Sequence, residues 1–478
     1  MKTKKQLGLL IFIVIVLTAL ITWAVNNYIV YGVTDETTGK FRIATQIIQR
    51  NSYNKVTDIE LQEGSIHGMV DSLNDPHSAY MTAAEVQAFE NSFLSEYIGI
   101  GITTSKIIDG FMVTEVAKNS PAENADVRVY DVIKSINGEK IIQNDKTIAD
   151  YLKNGSSAKT LTILRGTEEV EIIITEATVD YAQTLSQVHI VDGRKIMVFN
   201  LQRFTNKTVE LLTADLEKLK DDSIESVIFD LRNNTGGEVD VAKGIIQKIS
   251  SNKNIAFSIA KAEETTSKNA IESEKIIEKV TTNNPELQIK QPMLMLVNEN
   301  TASAAEIVAA TLNRNDGVRI VGNKTYGKSS IQELFKMNDG SAIKVTTKKW
   351  AMPDGTVLID GEGLEPSEKS IDSLPFTIST VGAKKVYVLG DRDRVGSTTI
   401  ADTQMILNYF GYDTARADGL FDNQTREQLL MFQADNGITQ TGEIDTNTLI
   451  FLNKKLIAYT SDVAHDVTLQ LGFKLLKN

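Results

Sequence analysis

Two segments of the chain hold residues whose types and spacing could do chemistry. In "VNENTASAAE", Val297 to Glu306, an unbroken apolar run ends in Asn298–Asn300, and an apolar helix then begins among small residues with Ser303 at its start. A serine there lies beside unpaired backbone N–H groups and the positive end of a helix dipole. Such donors can hold a developing oxyanion, with the Ala304 N–H the nearest candidate. The same letters also read as a capping box, Ser303 with Glu306, which needs no function. The second segment, "GNKTYGKS" from Gly322 to Ser329, fits the phosphate-loop pattern G-x-x-x-x-G-K-S and comes after the apolar "VRIV". It places Lys328 either on a nucleotide phosphate or, if burial keeps its amine neutral, as a general base. A third segment, "FDLRNNTGGEVD", turns after a buried strand. Its paired Gly236 and Gly237 let backbone N–H groups approach a ligand closely.

Composition narrows the chemistry. The 478 residues exceed one ordinary domain. A net charge of −12 argues against a general nucleic-acid binder. No cysteine is present, which removes thiol nucleophiles, disulfides and thiolate metal sites together. A histidine base would have to come from His67, His77, His189 or His465. "MKTKKQ" precedes the uncharged run Leu7–Val25, long enough for a membrane-spanning helix with a cytoplasmic N-terminus. The rest of the chain is then extracytoplasmic, where ATP is scarce. That weighs against a nucleotide-binding loop.

The elements that must position these residues are set by periodicity. Residues 33–92 read as helical, with Ile59, Ile66, Met69, Val70 and Leu73 near a 3.6-residue spacing. From 93 to 178 short β-rich runs alternate with turns and two short helices. From 179 to 382 strands and helices alternate, the signature of an α/β domain. Ala262 to Gln288 is polar and reads as an exposed excursion. "SSIQELFKMNDG" is too short before its breaker for the helix that a phosphate loop requires. From 386 to 460, "GLFDNQT" and "GEIDTNT" repeat G-x-apolar-D-x-x-T, each ahead of a helical run. The amphipathic tail, 461–478, is left to pack on the core or to pair with a second subunit.

Taken together, these motifs resemble the carboxyl-terminal processing peptidases, extracytoplasmic serine proteases with a Ser–Lys dyad. The family's S-A-S-A-S-E helix start is met by "TASAAE". Its F-G-K lysine is met by "YGK", with Lys328 twenty-five residues after Ser303 and Gln332 four further on. "DLRNNTGG" departs from the family's "DLRNNPGG" at Thr235. "GSIHGMVDSLNDPHSAY" also matches, and "TKKWAMPDGTVLIDGEGLEPS" matches with Ser367 in place of aspartate. The resemblance spans roughly residues 40 to 375. It implies a multidomain α+β protein: an anchor (1–32), a helical N-terminal region (33–92), a PDZ module (93–178) and an α/β, crotonase/Clp-like protease core (179–382).

By that likeness Ser303 is the nucleophile, Lys328 its base and Gln332 the support of the lysine, with Gly236, Gly237 and Ala304 forming the oxyanion hole. The PDZ module takes substrate C-termini by β-augmentation, with Gly99, Ile100 and Gly101 as its loop. It departs from the family's "AGLKPGD" in "ADVRVYD", where Asp126 and Tyr130 stand in place of glycines, so its turn geometry is in question. Residues 386–460 resemble a three-helix peptidoglycan-binding domain, as in an envelope protein of a Gram-positive bacterium. No metal, nucleotide or organic cofactor is implied. The expected partners are protein substrates with free C-termini, peptidoglycan and the membrane, but no nucleic acid. Family members often dimerise through terminal helices, so a homodimer is also implied. The rival reading is an inactive scaffold that only tethers partners.

Overall fold

In the computed structural model, the described residues are 36–370 and 386–477, together with Leu17 and Thr18. Omitted within these ranges are 108–109, 143–145, 154–155, 167, 181–184, 222, 251–254, 263–273, 282–288, 394–397 and 461. The run proposed as an anchor, Leu7–Val25, therefore lies outside the described residues except for Leu17 and Thr18. Among the described residues, no helix is long and apolar enough to cross a membrane. The chain divides into two compact units, one of residues 1–84 and 332–346, the other of 85–331 and 347–478.

The first unit carries α1 (Glu36–Asn51), α2 (Asp58–Asp71) and β1 (Ala79–Met81). Thr57 and Glu60 form a reciprocal capping box that starts α2. The "DPHSAY" turn is held by Asp75, which accepts from the His77 N–H, while Ser78 Oγ accepts from the Thr346 N–H. β1 pairs antiparallel with residues 342–344.

In the second unit, α3 (Ala83–Asn91) enters and leads to a β-module: β2 (Glu96–Gly99), β3 (Ile102–Ile107), β4 (Gly110–Val116), α4 (Pro121–Asn124), β5 (Val132–Ile136), β6 (Glu139–Lys140), α5 (Ile148–Leu152), β7 (Ala158–Arg165), β8 (Glu168–Thr175) and β9 (Ala177–Asp180). Its main sheet runs β3-β4-β5-β7-β8, around a core that includes Phe111, Ile133, Tyr151 and Leu161.

The α/β core comprises β10 (Ser186–Val191), β11 (Arg194–Asn200), α6 (Thr208–Leu216), β12 (Ile224–Asp230), α7 (Val239–Ile249), β13 (Ile255–Ala262), β14 (Glu274–Thr281), β15 (Met293–Val297), α8 (Ala304–Asp316), β16 (Arg319–Gly322), β17 (Ser330–Lys336), β18 (Ala342–Ala351) and β19 (Glu368–Lys369). The central sheet runs β10-β11-β12-β15-β16-β19 and is parallel except at the β10–β11 edge. Sheets of this type are covered on both faces, so their strands read as continuous apolar runs. On one face Met197, Phe199, Val227, Phe229, Met295 and Val297 pack with α6, α7 and α8.

The opposite face presents Ile196, Val198, Ile228, Leu294, Leu296 and Val321. It is covered by Leu469, Phe473 and Leu476 of the last helix, α12 (Val467–Leu475), and its C-cap. Of the two fates open to the tail, packing on the core is the one observed. α9 (Thr399–Tyr409), α10 (Asn423–Asp435) and α11 (Thr446–Thr460) form the three-helix module between β19 and α12. One element goes unread in the sequence. The polar excursion contains β14, a strand paired along β13, whose mostly exposed side chains hide it from a hydrophobic pattern.

Candidate active site

β15 ends at Val297 and α8 begins at Ala304, so the turn between them sits at the carboxyl end of a central strand, where open α/β sheets place their sites. Ser303, at that turn, is half-buried with φ 56° and ψ −122°, an uncommon and strained backbone for a residue with a side chain. Gly236 lies against it. A Cβ added at Gly236 would come 3.0 Å from the Ala304 nitrogen and 3.0 Å from Ser303 Cβ, and its φ is +96°. Only glycine satisfies both conditions.

The two turns are zipped by the fully buried Asn234. Its carbonyl accepts from the Ala302 N–H at 2.9 Å, its Nδ2 donates to the Leu201 carbonyl, and its Oδ1 accepts from the Gly236 N–H at 2.8 Å. The Gly236 N–H is thus engaged within the loop. Asn298 Oδ1 accepts from the Asn233 N–H at 2.9 Å, and Thr301 Oγ1 donates to the Leu231 carbonyl at 2.9 Å.

Glu306 ties the serine turn to the lysine loop. It is fully buried, and its Oε2 accepts from both the Ser303 N–H and the Lys328 N–H, each at 2.8 Å. The two backbone nitrogens therefore lie within twice that distance of each other. Oε1 accepts from the Gly327 N–H at 2.8 Å and Thr325 Oγ1 at 2.5 Å. Burial pushes the Glu306 carboxyl up from its ordinary range, while the four donors pull it back.

Three of these four bonds come from the 322–329 loop, and they dispose of its reading as a phosphate loop. The amides that would cradle a phosphate already hold a carboxylate of the protein itself, and Ser329 N–H is held by Asp360 Oδ1 at 2.9 Å. The loop runs on into strand β17, not into a helix. Gly327, with φ +84°, admits the close passage of residues 361–363: an added Cβ would stand 2.3 Å from the Gly363 nitrogen. The half-buried Lys328 is braced from its other side, its carbonyl accepting from the buried Trp350 Nε1 at 2.8 Å.

Gln332 lies further along β17 and falls in the first unit, where its Nε2 donates to Thr346 Oγ1 at 3.0 Å. Sequence reasoning reads Glu306 only as a capping partner and passes over Asn234 and Asp360. The S-x-x-E spacing is the one signal that points at Glu306.

Four family models match this chain: peptidase family S41 over residues 195–370, a PDZ domain over 112–165, a peptidoglycan binding domain over 397–452, and the N-terminal domain of the activating protease CtpB over 25–85. The chain is 29% identical over 437 residues to a probable CtpA-like serine protease of Staphylococcus aureus (strain bovine RF122 / ET3-1), covering 90% of this chain and 83% of the relative. To the protein of the same description from Staphylococcus haemolyticus (strain JCSC1435) it is 28% identical over 453 residues, covering 93% and 87%. The chain belongs to peptidase family S41. Among solved structures, the photosystem II D1 C-terminal processing protease aligns at 18% identity over 69% of this chain and 86% of its own, with a TM-score of 0.42. This S41 chain is a CtpA-like carboxyl-terminal processing serine protease that carries a PDZ domain and a peptidoglycan-binding domain.

Ahead of the segment matched as a PDZ domain, Gly99 closes β2 opposite Ala177 in a separate two-stranded sheet. Ile100 is buried in the core, and its carbonyl accepts from the Ala122 N–H at 2.8 Å. Gly101 has φ +84° and leads into β3. The turn that lacks the family's glycines keeps a left-handed backbone: Asp126 has φ 59° and Tyr130 φ 75°. Asp126 is held by Arg128 and Arg165, which keep its carboxyl below the ordinary range. Tyr130 packs with Ile107, Met112, Val132 and Ile450 in an apolar cluster that also takes Phe451 and Ile457, so α11 of the peptidoglycan-binding domain lies on the PDZ sheet.

The repeat in that last domain has a physical basis beyond helix capping. Asp422 and Asp445 cap through the Thr425 and Thr448 N–H groups. Each threonine hydroxyl also meets a buried glutamine amide, Gln404 in one copy and Gln433 in the other. Each glutamine Oε1 accepts from the copy's glycine, Gly419 or Gly442.

Proposed function

We propose that this S41 protease is a membrane-anchored, extracytoplasmic endopeptidase working through a Ser303–Lys328 dyad. Ser303 Oγ attacks the scissile carbonyl while Lys328 Nζ takes its proton. The lysine then returns that proton to the leaving amine, and water resolves the acyl-enzyme by the same route. Gln332 supports the lysine. The Ala304 N–H and a glycine of the 231–237 turn stabilise the tetrahedral oxyanion. We assign Gly237 to that role, because the Gly236 N–H is already donated to Asn234.

The observation that carries the reading is the shared Glu306 oxygen, which holds the serine turn and the lysine loop at one point. The strained Ser303 backbone supports it, since strain of this kind collects at nucleophile turns. Gly99, Ile100 and Gly101 receive the carboxylate of a substrate C-terminus. The anchor is the uncharged run Leu7–Val25, and residues 386–460 hold the enzyme to peptidoglycan.

The test is cleavage of an unstructured protein by the chain from about residue 33, read by mass spectrometry, with chelator and without ATP. The wild type is expected to cut while Ser303→Ala and Lys328→Ala do not. Equal cutting by all three would reject the dyad, and a silent wild type supplied with PDZ-binding peptides would favour the scaffold.

A further inference from the structure

α12 does more than cover the second face of the central sheet. Its N-cap, Asp466, accepts from the Leu469 N–H at 2.8 Å and so starts the helix. The same carboxylate reaches the turn that carries Gly236 and Gly237. Arg232 donates to Asp466 Oδ1 through Nη1 at 2.8 Å and to Oδ2 through Nη2 at 2.7 Å. Its Nε and Nη2 also donate to Asp230, at 2.9 and 2.7 Å. A planar guanidinium bonded in pairs to two carboxylates is fixed in both position and direction.

The charge count separates the two acids. Arg232 and Asp230 already make a neutral pair, and both are largely buried. Asp230 lies two residues from Arg232, so their bond travels with the turn and does not locate it against anything else. Asp466 makes the cluster net negative in a place where burial penalises charge. What it adds is placement. It comes from 234 residues further along the chain, on a helix seated on the sheet by Leu469 and Phe473. The turn is thereby tied to a frame outside its own strand, and it passes that placement on. The Asn234 carbonyl, two residues beyond Arg232, accepts from the Ala302 N–H at 2.9 Å, next to Ser303. Gly236 lies against Ser303 itself.

We infer that Asp466 is a positioning residue of the protease, holding the turn of Gly236 and Gly237 through Arg232 where peptide cleavage at Ser303 needs it. The inference rests on the reading of Ser303 and Lys328 as the dyad. The two tasks of Asp466, cap and clamp, come apart in two variants. Asp466→Asn keeps a good helix cap and leaves the neutral Arg232–Asp230 pair, so it should fold, but it gives up the ionic bond to both guanidinium nitrogens. Asp466→Glu keeps the charge and is the poorer cap. Arg319→Ala is the control, since it removes a bond to the Leu475 carbonyl at the far end of α12.

Initial rates are measured with the full chain on fluorescein-labelled β-casein over a range of concentrations, beside thermal melts of each variant. In Asp466→Asn, kcat is expected to fall about ten- to hundredfold with KM within about twofold. Asp466→Glu should melt lower yet keep kcat within about threefold of the wild type, and Arg319→Ala should keep it fully. Wild-type kcat in Asp466→Asn would overturn the inference. So would a loss in Asp466→Glu alone, which would leave Asp466 a helix cap, or an equal loss in Asp466→Asn and Arg319→Ala, which would reflect a loosened helix. Amide exchange in a Ser303→Ala background reads the clamp without the chemistry. Asp466→Asn should quicken exchange over 231–237, and unchanged exchange there would overturn the clamp whatever the rates. Cleavage by Ser303→Ala at the wild-type rate would sink the dyad reading instead.

Discussion

Replacing Glu306 is the sharpest test of how the site is held. The side chain is fully buried and accepts from three backbone N–H groups and one hydroxyl. Glu306→Ala strands all four donors. At about 1–3 kcal/mol for each buried group left unsatisfied, and with water entering the vacated space to relieve part of it, the loss is about 4–8 kcal/mol. A domain with ~5–15 kcal/mol in total would be close to unfolded. Glu306→Gln is the more informative variant, because it keeps the volume and turns an amide NH2 toward two donors. We expect it to cost about 2–4 kcal/mol in urea denaturation. If the carboxylate sets the spacing of the Ser303 turn and the Lys328 loop, cleavage by the folded fraction should also fall by about a hundredfold, as for other misplaced catalytic groups. A Gln variant with wild-type stability and wild-type turnover would refute the clamp. Lost stability with intact turnover would reduce Glu306 to a structural role.

Three further outcomes rest on contacts elsewhere. A chain ending at His465 loses Leu469, Phe473 and Leu476 from the sheet, at about 1.5–3 kcal/mol each. It should therefore bind a hydrophobic dye or aggregate, and soluble material that melts like the full chain would contradict the packing. Ile450→Asp should open the contact between the PDZ sheet and α11, read as faster amide exchange over 110–116 and 446–460 with little change elsewhere; unchanged exchange in both segments would refute the contact. Asp150, bonded to Thr147 N–H and Oγ, is lowered from 3.8 to about 2. Its folded value is the lower one, so its contribution is complete above 3.8 and lost as pH falls toward 2. The melting difference between the wild type and Asp150→Asn should shrink over that interval, and a constant difference would reject the shift.

What the sequence disclosed, and what it withheld, depends on how far apart in the chain the two halves of an interaction lie. The strand-to-helix turn at Ser303 was legible because apolar run, small residues and S-x-x-E are contiguous. The loop at Lys328 was legible as a cluster of backbone donors, but not as to which acceptor fills it. A phosphate and the Glu306 carboxylate ask the same geometry of Gly327 and Lys328, and Glu306 lies twenty-two residues away from Lys328. β14 escaped because its stabilisation comes from backbone pairing with β13, which leaves no hydrophobic period to read. The tail is the instructive case. Its apolar stripe announced a partner without naming one, yet "SVIFD" and "PMLMLV" are apolar on consecutive residues, the pattern of strands buried on both faces. With α6, α7 and α8 accounting for one face, an amphipathic helix with no other partner had to supply part of the second. Asp466, at the start of that helix, then meets Arg232 in the turn that carries Gly236 and Gly237. The chain therefore leaves the core at β19 to build the peptidoglycan-binding domain and returns with α12. That domain is bounded in the chain by two elements of the central sheet's layers, β19 paired along β16 and α12 packed on the sheet's second face.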